Sequence, residues 1–203
     1  MTPEHTIYAL WGAWLVSWTV ARLWSSRTEK RDAIWAELLF RVLFYGGLIL
    51  LFAFRPGHPF DAQTRLWQFG QSMNWISVAL VAAGLLFTWW ARIHLGSLWS
   101  DLVVKKAGHH VVDTGPYRLV RHPIYSGLIL AALATAIQTG ISFALLGGAL
   151  ITLAFCAKAR REERFLLAEL GEDAYDAYAR KTPMLVPCNC GRNSQFFDSR
   201  RNR

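Results

Sequence analysis

Five long stretches of this sequence contain few or no charged residues, and this feature limits the possible folds more than any other. The first stretch carries Arg22 as its single charge, close to its end. A helix of about 20 apolar residues is long enough to cross a ~30 Å hydrocarbon core. All seven prolines lie outside these stretches, where a missing backbone donor is tolerated. We therefore predict an all-α integral membrane protein with about five transmembrane helices, at 7–24, 34–54, 73–91, 124–138 and 141–157.

The composition supports the same fold class. Hydrophobic residues make up 53% of the 203 residues and charged residues only 18%, against about 25% charged residues in a typical soluble chain. These values argue against a disordered chain and against a disulfide scaffold. All ten tryptophans lie in the first half, which suggests the aromatic belts found at membrane–water interfaces.

The net charge of +8 is explained by where the basic residues lie. Counted between the predicted spans, eighteen lysines and arginines fall on one side of the membrane and two on the other. The basic side is formed by 25–33, 92–123 and the chain from Lys158 onward. The positive-inside rule then predicts an outside N-terminus and a cytoplasmic C-terminus, as in a multi-pass protein of a bacterial inner membrane or an equivalent internal membrane. Nucleic acid is not needed to explain the charge, and no cleavable signal peptide is predicted at the start.

The cysteines do not indicate a metal site. Cys156 lies in an apolar stretch, and Cys188 and Cys190 lie in a polar tail without a second cysteine pair or a nearby histidine. Reduced thiols are the better interpretation. The histidines also lack partners at zinc-ligand spacing, so no metal is predicted.

Two segments on the basic side carry side chains that could bind a ligand or take part in catalysis. The first precedes the fourth span and contains His109, His110, Tyr117, His122 and Tyr125. A turn is indicated by Gly-Pro at 115–116. Because a proline follows it, His122 should be extended, and that proline then suits the first turn of the fourth span.

The second segment follows the fifth span and contains Lys158, Arg160, Arg161, Glu162 and Glu163. Its simplest interpretation is a helix with solvated charges, in which Lys158 pairs with Glu162 one turn later. A tight turn at 139–140 changes this expectation, because it makes the fourth and fifth spans antiparallel and their far ends neighbours. His122 and Tyr125 should then lie near Lys158 and Glu162 and form a site.

The motifs in these segments resemble those of the isoprenylcysteine carboxyl methyltransferase family, within the membrane-embedded phospholipid methyltransferase-like enzymes. The resemblance covers about residues 80–187. It rests on Leu95-Gly96 with Trp99-Ser100, His109-x-Val-Val-x-x-Gly115-Pro116-Tyr117, Arg121-His122-Pro123-x-Tyr125-x-Gly127, and Glu162-Glu163 followed by Gly171-Glu172-x-x-Tyr175-x-x-Tyr178 and Pro183. The Gly-Pro-Tyr and Arg-His-Pro-x-Tyr-x-Gly elements at this spacing are specific together, whereas either alone is weak.

The resemblance implies S-adenosylmethionine (SAM) as the cofactor and methyl donor. It places the cofactor among His109, His110, Val111, Val112, Tyr117, His122, Pro123, Ile124, Tyr125, Glu162 and Glu163, with Glu162 at the charged amino-acid end. Where the eukaryotic enzyme carries a substrate-binding arginine, this chain has Lys158, which cannot grip a carboxylate bidentately. Arg160 and Arg161 are the alternatives, so these three are the candidate catalytic residues. The GxG signature of soluble dinucleotide-binding folds is absent from the sequence.

Two other functions fit parts of the pattern. One is a membrane sterol or enone reductase that uses NADPH and carries a related Arg-His-x-x-Tyr-x-Gly element. The other is a non-enzymatic membrane scaffold. Pro123 and the pair of glutamates at 162–163 favour the methyltransferase. The acceptor is expected to be lipophilic and to enter from the bilayer; a carboxylate, an amine and a thiol all remain open, and no protein partner or nucleic acid is implied.

The chain divides by these arguments into three parts. Residues 1–72 form the N-terminal transmembrane helices and a loop, and 73–187 form the catalytic core. Residues 188–203 form a polar tail without hydrophobic periodicity, and its last fifteen residues, 189–203, are expected to be dispensable.

Overall fold

Five long helices form the architecture of the described residues. The computed structural model describes residues 1–21, 30–31, 34–53, 64–96, 104–105, 113–170 and 178–187. The helices are α1 (Pro3–Ala21), α2 (Ile34–Ala53), α3 (Gln71–Leu95), α4 (Pro123–Thr139) and α5 (Ser142–Leu170), with a short 3-10 helix at Gly115–Arg118 before α4. Two-residue strands β1 (Lys30–Arg31) and β2 (Val104–Lys105) pair antiparallel. The all-α prediction is confirmed, and each apolar stretch contains one helix.

Two of the described helices are long and apolar enough to cross a membrane by length and composition, at Gln71–Leu95 and Ser142–Leu167. The apolar helix α4 is shorter, with 17 residues. Large hydrophobic side chains on the outer faces of the helices are exposed, among them Ile49, Leu86 and Leu153. Such a surface is typical of a chain that lies in lipid.

Glycines allow the helices to approach closely in two places. A Cβ atom on Gly84 of α3 would lie 2.6 Å from the Gly127 carbonyl oxygen of α4. A Cβ atom on Gly147 of α5 would lie 2.6 Å from the Gly47 carbonyl oxygen of α2. Close backbone approach at small residues is how helices associate in lipid. Gly147 thus packs against α2 and not within the hairpin, whereas Gly148 faces Ala136 inside the hairpin.

The hairpin of α4 and α5 turns at Gly140, whose φ of 66° is in the left-handed region that favours glycine. The segment 64–70 lies across this turn. The Leu66 N–H donates to the Gly140 carbonyl at 2.8 Å, and the Trp67 indole donates to the Ile137 carbonyl at 2.9 Å. The predicted tight turn at 139–140 is confirmed, and it fixes α4 and α5 as antiparallel neighbours.

Helix α1 is joined to the other helices by indole hydrogen bonds. Trp11 donates to the Thr135 hydroxyl of α4 and Trp14 to the Thr88 hydroxyl of α3. Trp89 of α3 donates to the Ser17 hydroxyl of α1. The tryptophans of α1 therefore line a contact between helices. Each indole donor has an internal partner, as a polar group in an apolar environment requires.

Candidate functional site

The candidate site lies where α4 begins. His122 has φ −123° and ψ 65°, outside the helical region, and Pro123 occupies the first helical position. His122 therefore avoids the helical region, as a residue before proline does, but its ψ lies below the extended range that was predicted. This junction sends the His122 ring toward the part of α5 that extends beyond the hairpin.

Two glutamates of α5 bracket the His122 ring. The distance from His122 Nδ1 to Glu162 Oε2 is 3.4 Å, and from His122 Nε2 to Glu163 Oε1 it is 3.2 Å. The Tyr125 hydroxyl donates a 2.6 Å hydrogen bond to Glu162 Oε1. The Tyr125 and His122 rings stack with centroids 5.4 Å apart. The structure thus brings His122 and Tyr125 next to Glu162, as the hairpin argument predicted, and it adds Glu163 to the cluster.

Electrostatics at this cluster favour a charged histidine. His122 is only 8% exposed, and burial alone lowers the pKa of an imidazole. Hydrogen bonds to the Glu162 and Glu163 carboxylates act in the opposite direction and leave the pKa of His122 above its ordinary value. When its ring is protonated, His122 has a carboxylate at each nitrogen, and both contacts are then charge-assisted.

The three predicted basic residues occupy different environments. Lys158 is 4% exposed, and its Nζ lies 4.5 Å from the Phe40 ring centroid and 5.8 Å from that of Tyr125. Arg161 Nη2 lies 3.3 Å from Glu37 Oε2 of α2. Arg160 is exposed. Lys158 and Glu162 are therefore not a solvated surface pair, and α2 reaches the site through Phe40 and Glu37.

Aromatic side chains of three helices meet next to this cluster. Phe155 of α5 lies between Tyr125 of α4, at a centroid distance of 5.0 Å, and Phe40 and Phe44 of α2, at 5.7 and 5.5 Å. We refer to Phe40, Phe44, Tyr125 and Phe155 as the aromatic wall. It places apolar surface beside the charged cluster.

Tyr117 lies in the 3-10 helix and is buried. Its ring stacks on that of His94 at a centroid distance of 6.3 Å, and His94 Nε2 lies 2.8 Å from the Thr114 hydroxyl. Burial raises the pKa of the Tyr117 phenol well above its ordinary value, so this phenol stays neutral. His94, at the C-terminal end of α3, is therefore a neighbour of Tyr117 and of the site.

Sequence reasoning assigned no role to Arg121, although it is part of the Arg-His-Pro motif. Its Nε donates to Glu163 Oε1 at 2.7 Å, and its Nη1 donates to the carbonyls of Ala179 and Thr182. The Tyr178 hydroxyl also donates to the Tyr117 carbonyl at 2.6 Å. Contacts to main-chain carbonyls leave no residue-type signal, so only the motif itself could have drawn attention to Arg121.

The remaining predicted residues divide into two groups. Pro123 and Ile124 are buried in the first turn of α4. His109, His110, Val111 and Val112 lie outside the described residues, so their predicted role stays a prediction. Within the described part of the chain, no group of three or more metal-ligating side chains occurs.

Comparison with known proteins shows that the segment containing most of this site matches a known family. Residues 76–168 match the model of the isoprenylcysteine carboxyl methyltransferase (ICMT) family. His122, Tyr125, Lys158, Glu162 and Glu163 all lie inside the matched segment. The match supports the resemblance found in the motifs of the sequence.

Several curated proteins are similar to part of this chain. The nickel-cobalt-cadmium resistance protein NccN of Alcaligenes xylosoxydans xylosoxydans is 32% identical over 116 residues, which cover 56% of this chain and 53% of the relative. Methanethiol S-methyltransferase 2 of Bradyrhizobium diazoefficiens is 32% identical over 152 residues, covering 69% and 56%. Protein-S-isoprenylcysteine O-methyltransferase of Schizosaccharomyces pombe is 32% identical over 100 residues, covering 48% and 42%.

The chain spans about half the length of the curated relatives it matches. The segment that matches the family model includes the hairpin turn, the His122 junction and the two glutamates of α5. Residues 76–168 of this chain are therefore similar to the isoprenylcysteine carboxyl methyltransferase family.

Proposed function

We propose that this protein is an integral membrane methyltransferase that uses SAM and acts on a lipophilic acceptor. The observation that carries the proposal is the cluster in which Glu162 and Glu163 bracket the buried His122 at the end of the hairpin. The family match and the relatives named as methyltransferases support a methyl-transfer reaction.

The residues present fit SAM. A carboxylate has about four acceptor positions, and the hydrogen bonds to Tyr125 and His122 leave Glu162 with further acceptor capacity. Glu162 is 17% exposed and therefore accessible from one side. A partly accessible carboxylate in a buried site suits the ammonium group of the cofactor's amino-acid end. The rings of Tyr117 and His94 offer flat surfaces for its cationic sulfonium or its base.

The chain's contribution to the reaction is positioning and the exclusion of water. When bound, SAM would supply a methyl group activated by its sulfonium, so that in-line attack of an acceptor at the methyl carbon would release sulfur as a neutral thioether. Glu162 would hold the ammonium end, and the imidazolium of His122 would keep Glu162 oriented. Tyr117 would remain a neutral phenol against the cofactor. Holding two reactants in line accounts for most of the rate gain that such a displacement needs.

The acceptor side is proposed to lie along the aromatic wall. These rings place apolar surface beside the cluster, and α2, which supplies Phe40 and Phe44, packs directly against α5 at Gly47 and Gly147. A lipid-like acceptor can bury its apolar part here, while Lys158 places a cation at the same level. Lys158, Arg160 and Arg161 remain the candidates for binding an acidic acceptor group.

We also propose the membrane arrangement predicted from the charges. All five helices would cross the bilayer, with the N-terminus outside and the site at the cytoplasmic ends of α4 and α5. SAM is polar and would arrive from the cytoplasm, and the acceptor from the lipid. Residues 73–187 would form the catalytic core, with 1–72 as the N-terminal part and 188–203 as a tail.

The test combines cofactor binding and methyl transfer. Purified protein in detergent is titrated with SAM and, separately, with NADPH. Protein in liposomes is then supplied with radiolabelled SAM and a panel of prenylated thiol acids, aminophospholipids and lipophilic thiols. Binding of SAM and transfer to a lipophilic acceptor are expected. Binding of NADPH alone would indicate the reductase, binding of neither would favour the scaffold, and methylation of only small soluble molecules would refute entry from the membrane.

A further inference from the structure

A segment near the C-terminus lies directly across the His122 junction. We call residues 178–187 the strap. The Arg121 N–H donates to the Pro183 carbonyl at 2.9 Å, and the His122 N–H donates to the Met184 carbonyl at 3.1 Å. Pro123 has no N–H, so these two donors are the last ones before α4 begins. The strap therefore binds the backbone at the position from which the His122 ring enters the site.

Two further contacts anchor the strap at its ends. The Tyr178 hydroxyl donates to the Tyr117 carbonyl at 2.6 Å, and the Ser126 hydroxyl donates to the Leu185 carbonyl at 2.6 Å. The Tyr178 phenol is partly buried, and burial raises its pKa above the ordinary value. The phenol therefore remains a donor throughout the physiological range. The strap connects the 3-10 helix with the first turn of α4.

The Arg121 side chain links the strap to the carboxylates. Its Nε donates to Glu163 Oε1 at 2.7 Å, and its Nη1 donates to the Ala179 carbonyl at 2.7 Å and to the Thr182 carbonyl. Glu163 Oε1 also lies 3.2 Å from His122 Nε2. A guanidinium presents several donors in a fixed plane, whereas a lysine ammonium is a point charge on a flexible stem. Only an arginine can satisfy these partners in one rigid geometry.

The contacts form a continuous chain of hydrogen bonds and ion pairs. The order is the strap carbonyls, Arg121, Glu163, His122, Glu162 and finally Tyr125. Each member has a partner on both sides, so a displacement of the strap changes the orientation of the glutamates. Networks of this kind hold a binding group in place more strongly than isolated pairs do.

We propose that the strap belongs to the cofactor site and that Arg121 is a positioning residue, which transmits docking of the strap to the Glu162–Glu163 pair. The inference rests on the proposed function, because it assigns SAM to that pair. Arg121 itself need not touch the cofactor. By linkage, SAM binding and strap docking stabilise each other: a ligand held by an oriented Glu162 favours the docked strap.

The experiment uses the full chain in detergent and compares Arg121→Lys with Arg118→Lys. Arg118 lies three residues away, is exposed, and serves as the matched control. SAM affinity is measured by calorimetric titration. Hydrogen exchange is measured in peptides that contain the Arg121 and His122 amides, because these amides report the strap directly. A thermal melt checks that each variant is folded.

In the wild type we expect SAM to slow exchange at the 121–122 amides. In Arg121→Lys we expect faster exchange there without ligand and a SAM affinity lower by tenfold or more, the size of effect typical of lost groups that orient a ligand. The Arg118→Lys control should match the wild type. Faster exchange with unchanged affinity in Arg121→Lys would overturn the proposal, because Arg121 would then only stabilise the strap.

Tyr178→Phe provides a second route if Arg121→Lys does not fold. This variant removes one strap anchor and leaves every member of the chain from Arg121 to Tyr125 intact. We expect faster exchange at 121–122 and a smaller loss of SAM affinity; unchanged affinity would refute the proposal. A wild type that binds no SAM would refute the proposed function and this inference together. If the wild type binds SAM, the variants test this inference alone.

Discussion

Tyr125 and Glu162 lie on opposite arms of one helical hairpin, and the Tyr125 hydroxyl donates a 2.6 Å hydrogen bond to Glu162 Oε1. This bond joins the first turn of α4 to the part of α5 beyond the hairpin. It also fixes one oxygen of the carboxylate proposed to bind the cofactor. The orientation of Glu162 therefore depends on the packing of α4 against α5, and several expectations can be tested at these two residues.

Glu162→Gln should weaken SAM binding strongly. The amide keeps the size and much of the hydrogen bonding of the carboxylate but removes the charge that would pair with the ammonium group. Losing one partner of a buried charge pair costs about 2–5 kcal/mol. Calorimetric titration of SAM measures the change, and Glu4→Gln at the start of α1 is the control. A change of less than threefold would contradict the role of Glu162.

Tyr125→Phe should lower SAM affinity less than Glu162→Gln does. The variant keeps the ring that stacks on His122 and Phe155 and removes only the donor to Glu162. We expect a loss of about tenfold, which corresponds to ~1.4 kcal/mol. Tyr45→Phe on the exposed side of α2 is the matched control. Equal affinity in both variants would show that the Tyr125 hydroxyl does not orient Glu162.

The charged state of His122 predicts a pH dependence of stability. The groups facing its ring are Glu162, Glu163 and the ring of Tyr125, with Arg121 beyond Glu163. Because the folded-state pKa of His122 is raised, its contribution to the stability is fully present below the unfolded-state pKa of about 6.5. It is lost as the pH rises through the folded-state pKa.

Thermal melts of the wild type and His122→Gln in detergent, from pH 5.5 to pH 9, check this expectation. The difference in melting temperature should be largest at low pH and should shrink as the pH rises. A difference that grows with pH would show that His122 is neutral in the folded protein.

Gly84→Ala should destabilise the contact between α3 and α4. Its Cβ would lie 2.6 Å from the Gly127 carbonyl oxygen and 3.0 Å from the Ala131 nitrogen, both backbone atoms that cannot rotate away. Overpacking of this kind costs about 1–3 kcal/mol. Gly46→Ala in α2 is the control, because a Cβ atom there meets nothing within 4 Å. Denaturation in mixed micelles measures both, and equal stability would mean that the helices can move apart at no cost.

Reporter fusions should place the C-terminus in the cytoplasm. The basis is the distribution of eighteen lysines and arginines on one side against two on the other. A fusion after Arg203 should give a cytoplasmic signal, and one within 55–72 should give an external signal. An external C-terminus would place the hairpin end on the wrong side for a cytoplasmic cofactor and would contradict the proposed function.

Local signals in the sequence predicted the hairpin and the meeting of His122 with Glu162. A proline at 123 and a glycine at 140 set the ends of α4, and an uncharged stretch on each side of Gly140 set the antiparallel pair. Antiparallel geometry then determines which ends are neighbours. The positions of these residues along the chain were sufficient to predict which helix ends meet, because that prediction does not depend on how either helix is rotated about its axis.

Other contacts could not be predicted, because they depend on how a helix is rotated or on main-chain atoms. The number of tryptophans suggested interfacial belts, and the sequence did not indicate that the Trp14 indole donates a hydrogen bond to the Thr88 hydroxyl of α3. Phe40 lies outside the family-matched segment, yet its ring lies under Lys158. Arg121 binds carbonyls about 60 residues away, and a carbonyl has no sequence signature.

The three indole bonds of α1 have a consequence for how the bilayer side of the protein can open. Sliding or turning α1 would leave three buried indole N–H groups without an acceptor, each at a cost of about 1–3 kcal/mol, so α1 is held in place along α3 and α4. Helix α2 contacts α5 through glycines and aromatic rings and through the ion pair of Glu37 with Arg161. For the proposed entry of an acceptor from the bilayer, we therefore expect the route to lie on the α2 flank, and a crosslink placed there, unlike one placed along α1, should slow methyl transfer.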